Sequence, residues 1–296
     1  VLETEARIMG TEMEWPIAVQ DKPGEQFRQV DDVRAAAIIN KYRPPNILMV
    51  GQYTQNGGRY YLDVGSHIEY ATPEDDWLYG CVINELAGEQ ILYSSLVQAR
   101  NSGLFHDFRL NKRVVDQKGH TWGYHNSYNA RAGNIAIDKE HLALVGLRIA
   151  TGNIYYGAGA IVDDAAGKPR FWIAQKVVNL NCDFATSSHM AEQPLVSLRN
   201  ESLANDEKYR RVHVTCADPN MSPWATWFRL GSMSIVLRMI EQGYRGADLM
   251  PNIDLHKYAK RVALDVAMQQ TVELADGGKK VRALDLDYAL LERADK

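Results

Sequence analysis

The chain has 296 residues, with 33 Lys and Arg against 37 Asp and Glu and a formal net charge of −4. Hydrophobic residues make up 46% and charged residues 24%, a globular balance that excludes wholesale disorder. There is no dense basic block to drive nucleic-acid binding, and no apolar run approaches the roughly 20 residues of a membrane span.

Cys81, Cys182 and Cys216 lie far apart and form no CxxC pair, so neither a disulfide framework nor a zinc knuckle is expected. A reducing cytoplasm fits this cysteine usage best. The opening VLETEARIMG has no basic or apolar signal region, so it does not read as a secretory leader. It also lacks an initiator Met, which leaves open a processed chain or one without some of its segments.

In chain order, Arg7–Trp15 alternates as a strand, with Ile8, Gly10, Glu12 and Glu14 on one face. Asn56-Gly57-Gly58 signals a turn and leads into a strand over Arg59–Val64, where Arg59, Tyr61 and Asp63 share a face. Helical spacing predicts a long helix over Asp75–Arg100 and another over Asp138–Ala150. Phe171–Lys176 is a further candidate strand. Tyr209–Cys216 is a strand with Arg211, His213 and Thr215 opposite Val212, Val214 and Cys216. Ser222-Pro223 opens a helix that runs to Gly243, and another is expected over Leu255–Gln269. The pattern is α+β: a largely antiparallel sheet backed by helices. No interdomain linker stands out, so residues 1–296 are read as one catalytic domain. Its sheet core spans 1–225, and the helical portion 226–296 packs on that core.

Paired carboxylates at Glu12 and Glu14 repel unless a cation sits beside them, and oxygen-rich sites suit Mg²⁺. A solvated strand face is the alternative for a bare E-x-E. Asp63, His67 and Glu69 are close in sequence around Gly65, which lets the backbone bend, and so could reach a common cleft. Arg211 carries the planar fork suited to phosphate, and His213 beside it can ligate a metal or donate to a phosphate. A surface arginine and a core-edge histidine remain the alternative. Cys216 reads as a small buried hydrophobe, and Trp224, Trp227 and Phe228 as helix core. The phosphate-loop, dinucleotide and nucleophile-elbow motifs are absent. Scattered carboxylates, histidines and arginines on one sheet face suit a nucleotide–metal site.

RIMGTEMEW, NGGRYYLDVGSHIEYATPE, GYHNSYNARAG and EKYRRVHVTCADPNMS occur in that order. In these motifs the chain resembles the Pup ligase and depupylase family, whose substrate is the prokaryotic ubiquitin-like protein Pup. The resemblance implies a fold related to glutamine synthetase and γ-glutamylcysteine ligase, a curved sheet cradling ATP and Mg²⁺. It implies ligation through a γ-glutamyl phosphate that a lysine then attacks, or, in the depupylase, hydrolysis of that isopeptide bond. Carried over by position, Glu12, Glu14 and Glu69 correspond to metal ligands, with His125 and His213 on the metal-facing strands. Asp63 corresponds to the catalytic aspartate and Arg199, in SLRNE, to a phosphate-facing catalytic arginine. Arg211 and Asn220 fall in the nucleotide-facing motif.

Two departures stand out. His125-Asn126-Ser127-Tyr128 replaces the family's His-Glu-Asn-Tyr, so an amide at 126 is expected to remove one carboxylate from the metal site. The chain ends at Lys296, where family members continue into a C-terminal domain that helps engage Pup. Either that part is missing here or the acyl substrate is smaller. Depupylases carry an insertion soon after the first strand, whereas the residues between Trp15 and Asn56 show none. The leading expectation is therefore an ATP-dependent carboxylate–amine ligase. An amidase of the depupylase type comes second, and a catalytically reduced nucleotide-binding protein third.

Overall fold

The computed structural model describes residues 7–132, 139–164, 166–185, 192–199 and 207–294. The main sheet has nine strands: β1 (Met9–Trp15), β2 (Met49–Val50), β3 (Tyr53–Thr54), β4 (Arg59–Leu62), β5 (Ile68–Ala71), β6 (Tyr124–Arg131), β7 (Cys182–Ala185), β8 (Pro194–Ser197) and β9 (Tyr209–Val214). Their spatial order is β7-β8-β9-β6-β1-β5-β4-β3-β2, antiparallel throughout except for the parallel β7–β8 pair. Three smaller sheets flank it, one pairing Ile17–Gln20 with Arg28–Gln29 and Asp107–Leu110.

The described helices are α1 (Asp32–Lys41), α2 (Leu78–Asn101), α3 (Lys139–Tyr156), α4 (Pro223–Glu241), α5 (Leu255–Leu264) and α6 (Ala283–Ala294). Alternation decides which side of the sheet they cover. In β1, Met9, Thr11, Met13 and Trp15 are buried while Gly10, Glu12 and Glu14 are half-buried. In β6, Tyr124, Asn126, Tyr128 and Ala130 are buried, and His125, Ser127 and Asn129 are half-buried. The apolar sets meet the helices in two clusters. One packs Tyr128, Val212 and Val214 with α3, α4 and α5; the other packs Met13, Tyr60, Tyr70 and Tyr124 with α1 and α2. The polar sets are left facing the opposite side. Burial of the apolar stripes on one face thus aims the carboxylates and imidazoles at the other.

The α+β architecture matches the sequence pattern, with differences at particular elements. The expected strand over Phe171–Lys176 is instead a strand at Pro169–Trp172, followed by a 3₁₀ turn at Lys176–Asn179. The helix expected to reach Gln269 stops at Leu264, whereas α3 extends past Ala150 to Tyr156. Asp138, its expected start, lies outside the described residues, as do Asn200 and Glu201 of SLRNE. Helix α6 falls inside the expected helical portion 226–296, whereas α1 has no counterpart in the sequence reading, although it carries a legible cap: Asp31 accepts from the Arg34 N–H at 2.9 Å. Trp224, expected in the core, is 56% exposed and stacks on Phe228. No described helix is long and apolar enough to cross a membrane.

Candidate active site

The free face of the sheet forms a cavity of about 1370 Å³. Glu12, Glu14, Asp63, His67, Glu69, His125, Arg199, Arg211 and His213 all line it. Of the residues nominated from the sequence, Asn220 alone is not brought there. It lies before α4, where its amide Nδ2 donates to the Tyr156 carbonyl and its Oδ1 accepts from the Ser222 N–H. Asn220 thus braces a loop and helix entry.

Strand register sorts the ligands into two groups. Glu12 stands opposite His125 on β6, and His213 on β9 pairs with Ser127, two residues further along β6. Glu12, His125 and His213 each place a ligand atom within 4.8 Å of the others. Glu14 stands opposite Glu69 on β5, and Asp63 follows β4 at the turn that joins it to β5. Glu14, Asp63 and Glu69 form a second such group. The turn is closed by the Ser66 N–H donating to the Asp63 carbonyl at 3.0 Å, with Gly65 at φ +82°. An E-x-E strand therefore feeds two adjacent three-ligand clusters.

The electrostatics of the clusters differ. Burial raises the Glu12 pKa, but the His125 hydrogen bond and the charges of His125, His213 and Arg211 outweigh it and bring the carboxyl down to about 2. Burial also acts on Glu14, where the His67 ring, 2.8 Å away, and the Gly123 N–H, at 2.7 Å, carry it below the ordinary value. Glu69 goes the other way: burial, reinforced by Glu12 and Glu14, pushes it up to about 8. A carboxylate crowded by two others is relieved by a divalent cation. The three carboxylates of the Glu14 group fit a hard divalent ion such as Mg²⁺, while the Glu12 group offers one carboxylate and two imidazoles, a set open to softer divalent metals as well.

Arg211 reaches across from β9, its Nη2 3.3 Å from Glu12 Oε1 and 3.0 Å from Ser127 Oγ. Arg199 follows β8 and is exposed at the cavity wall. Asn126 is on the other face: 1% exposed, it opposes Thr11 and Val214. The amide at 126 therefore removes no carboxylate from the cavity, because strand alternation turns this position toward the helices. Lys176, which sequence reasoning did not nominate, also lines the cavity.

The family model described as Pup-ligase protein matches residues 7–296. The chain belongs to the Pup-ligase family. Family relatives include Pup–protein ligases of Acidimicrobium ferrooxidans, 32% identical over 98% of this chain, and of Actinosynnema mirum, 32% identical over 97%. In each case the chain spans 63% of the relative's length. Among solved structures, the complex between Pup and its ligase PafA is 26% identical over 98% of this chain and 57% of that one, with a TM-score of 0.80. PafA in complex with ADP gives 0.72 at 26% identity, covering 94% of this chain and 60% of that one. Glutamate–cysteine ligase of Francisella tularensis, in complex with AMP, shares the fold at a TM-score of 0.54 and 10% identity, over 98% of this chain and 77% of that one.

Proposed function

We propose that this chain is an ATP- and Mg²⁺-dependent carboxylate–amine ligase of the Pup-ligase type, working as one catalytic unit. The observation that carries this reading is the pair of three-ligand clusters beside Arg211 and Arg199 on a single sheet face. Family membership and the ADP complex of PafA support nucleotide use. The PafA–Pup complex supports Pup, or a Pup-like glutamyl donor, as the acyl partner; the acceptor in this reading is a lysine or other amine. We assign the reaction to the cytoplasm, where ATP is supplied; the free state of Cys81, Cys182 and Cys216 agrees with this.

Bound Mg²⁺ would neutralise phosphate charge and align the γ-phosphoryl group for transfer. Glu12, His125 and His213 would hold one ion and Glu14 and Glu69 another, with the exposed Asp63 left beside the second. Arg211 and Arg199 pair with phosphate oxygens, exploiting the bidentate guanidinium. His67 fixes the orientation of Glu14. Asp63, exposed at its turn, is placed to accept the proton that a lysine acceptor must lose, since free lysine has a pKa of about 10.4.

The test is incubation with ATP, Mg²⁺, a Glu-ended Pup and a lysine-bearing acceptor, and in parallel with a purified Pup conjugate, read by ADP release and by mass spectrometry of the products. A new isopeptide with stoichiometric ADP is expected. Cleavage of a Pup conjugate with no net ATP turnover would instead identify an amidase, and ATP binding with neither reaction a reduced nucleotide-binding protein.

A further inference from the structure

Lys176 is 8% exposed, yet it is one of the residues that line the cavity. Among the described residues its Nζ has one hydrogen-bond partner, the Trp122 carbonyl at 3.0 Å, and no carboxylate within ion-pair distance. A buried ammonium has three donors and a charge that burial penalises unless an anion or several acceptors meet it. One carbonyl leaves most of this demand unmet.

The surrounding loop is built to hold that side chain in place. The buried Asp218 carboxylate accepts from three backbone N–H groups: Ala158 at 2.9 Å, Gln175 at 2.6 Å and Lys176 at 2.9 Å. The Gln175 side chain bridges the Val114 N–H and the Gly159 carbonyl. Beneath them, Arg229 donates to the Asp218 carbonyl and to the Tyr124 hydroxyl, which donates to Glu85.

The carbonyl that accepts from Lys176 belongs to the same peptide unit as the Gly123 N–H that donates to Glu14. A single peptide therefore separates the ammonium from the Glu14, Asp63 and Glu69 cluster. The ion-pairing arginine Arg211 serves the other cluster, through Glu12.

We infer that Lys176 is a substrate-binding residue that contacts an oxyanion of the acyl donor beside the Glu14 cluster, with Asp218 as its positioning residue. This rests on the ligase reading above. The oxyanion is either the transferring phosphoryl group or the donor's side-chain carboxylate. Both offer charged oxygens to a fixed ammonium, and binding experiments separate them.

The probes are inorganic phosphate in the presence of ADP and Mg²⁺, and separately a Glu-ended Pup peptide. Each is titrated by calorimetry against the parent, Lys176→Met and Lys176→Arg, with thermal unfolding of all three. Lys176→Met should lose at least about tenfold affinity for one probe while still binding Mg–ADP, and Lys176→Arg should restore most of it. Loss for phosphate assigns the phosphoryl contact, and loss confined to the peptide assigns the carboxylate. Unchanged affinity for both probes in Lys176→Met, even with a lowered melting temperature, overturns the inference and makes the ammonium a structural pin. A parent that binds neither Mg–ADP nor Mg–ATP overturns the ligase reading itself.

Discussion

Glu14 on β1 stands directly opposite Glu69 on β5, and both carboxylates face the same cavity. Like charges facing each other across a strand pair destabilise a sheet. Here the strain is divided unequally: His67 and the Gly123 N–H keep Glu14 charged, while Glu69 is pushed up to about 8. The arrangement is costly for a sheet alone and suited to one that receives a cation.

A pH dependence follows. Glu69 has its folded pKa raised, so its contribution to stability is fully present below about 4.5 and is lost as pH rises toward 8. His67, raised by its Glu14 hydrogen bond, acts in the same direction. Glu12, held at about 2, loses its contribution only under acid, as pH falls from 4.5 toward 2. Without divalent cations the melting temperature should fall between pH 5.5 and pH 8, and Mg²⁺ should reverse most of that fall. Calorimetry in buffers of different ionisation enthalpy should show about one proton released near pH 7 as the ion beside Glu69 binds. A melting temperature with the same pH slope in Mg²⁺ and in chelator would remove Glu69 from the ion site.

Glu69→Gln separates stability from function. It removes a carboxylate facing two others, so the cation-free protein should be more stable than the parent at pH 8. It should also bind Mg–ADP less well. Loss of both stability and affinity would mean that Glu69 holds the fold together.

Arg211 should act on phosphate more than on folding. It is half-buried and contacts Ser127 and Glu12. Arg211→Ala is expected to cost about 1.5–3 kcal/mol in nucleotide binding, the range for a lost hydrogen bond to a charged group. The cation-free protein should remain folded by circular dichroism. Unfolding of that variant would make Arg211 structural.

Asp63→Asn keeps the side chain's shape and removes its basic oxygen. Mg–ATP affinity should change little, because Glu14 and Glu69 remain to hold the ion, while the amine-dependent step falls by at least about a hundredfold. Near-parental ligation by this variant would exclude Asp63 as the base.

Much of this site was legible in the primary structure because period-two alternation is strong in β1 and β9. Alternation alone sets Glu12 with Glu14, and Arg211 with His213, on common faces. What alternation lacks is register. That Glu12 meets His125 while Glu14 meets Glu69 depends on which strands become neighbours, and these pairs lie far apart in the chain. The same alternation, applied to Tyr124–Arg131, would have turned Asn126 away from the cavity, since Tyr124 and Tyr128 mark the helix-facing side. Lys176 carried no such signal. It was expected at a strand end, and only the 3₁₀ turn capped by Asp218 carries it to the cavity.

The central claim is that the two clusters hold divalent cations that in turn hold the nucleotide phosphates. It is tested most directly by titrating ATP into the protein with Mg²⁺, with chelator in its place, and into Glu12→Gln with Mg²⁺. The account predicts binding in Mg²⁺, none measurable in chelator, and at least about a tenfold loss in Glu12→Gln. Equal ATP affinity in Mg²⁺ and chelator, or parental affinity in Glu12→Gln, would contradict it.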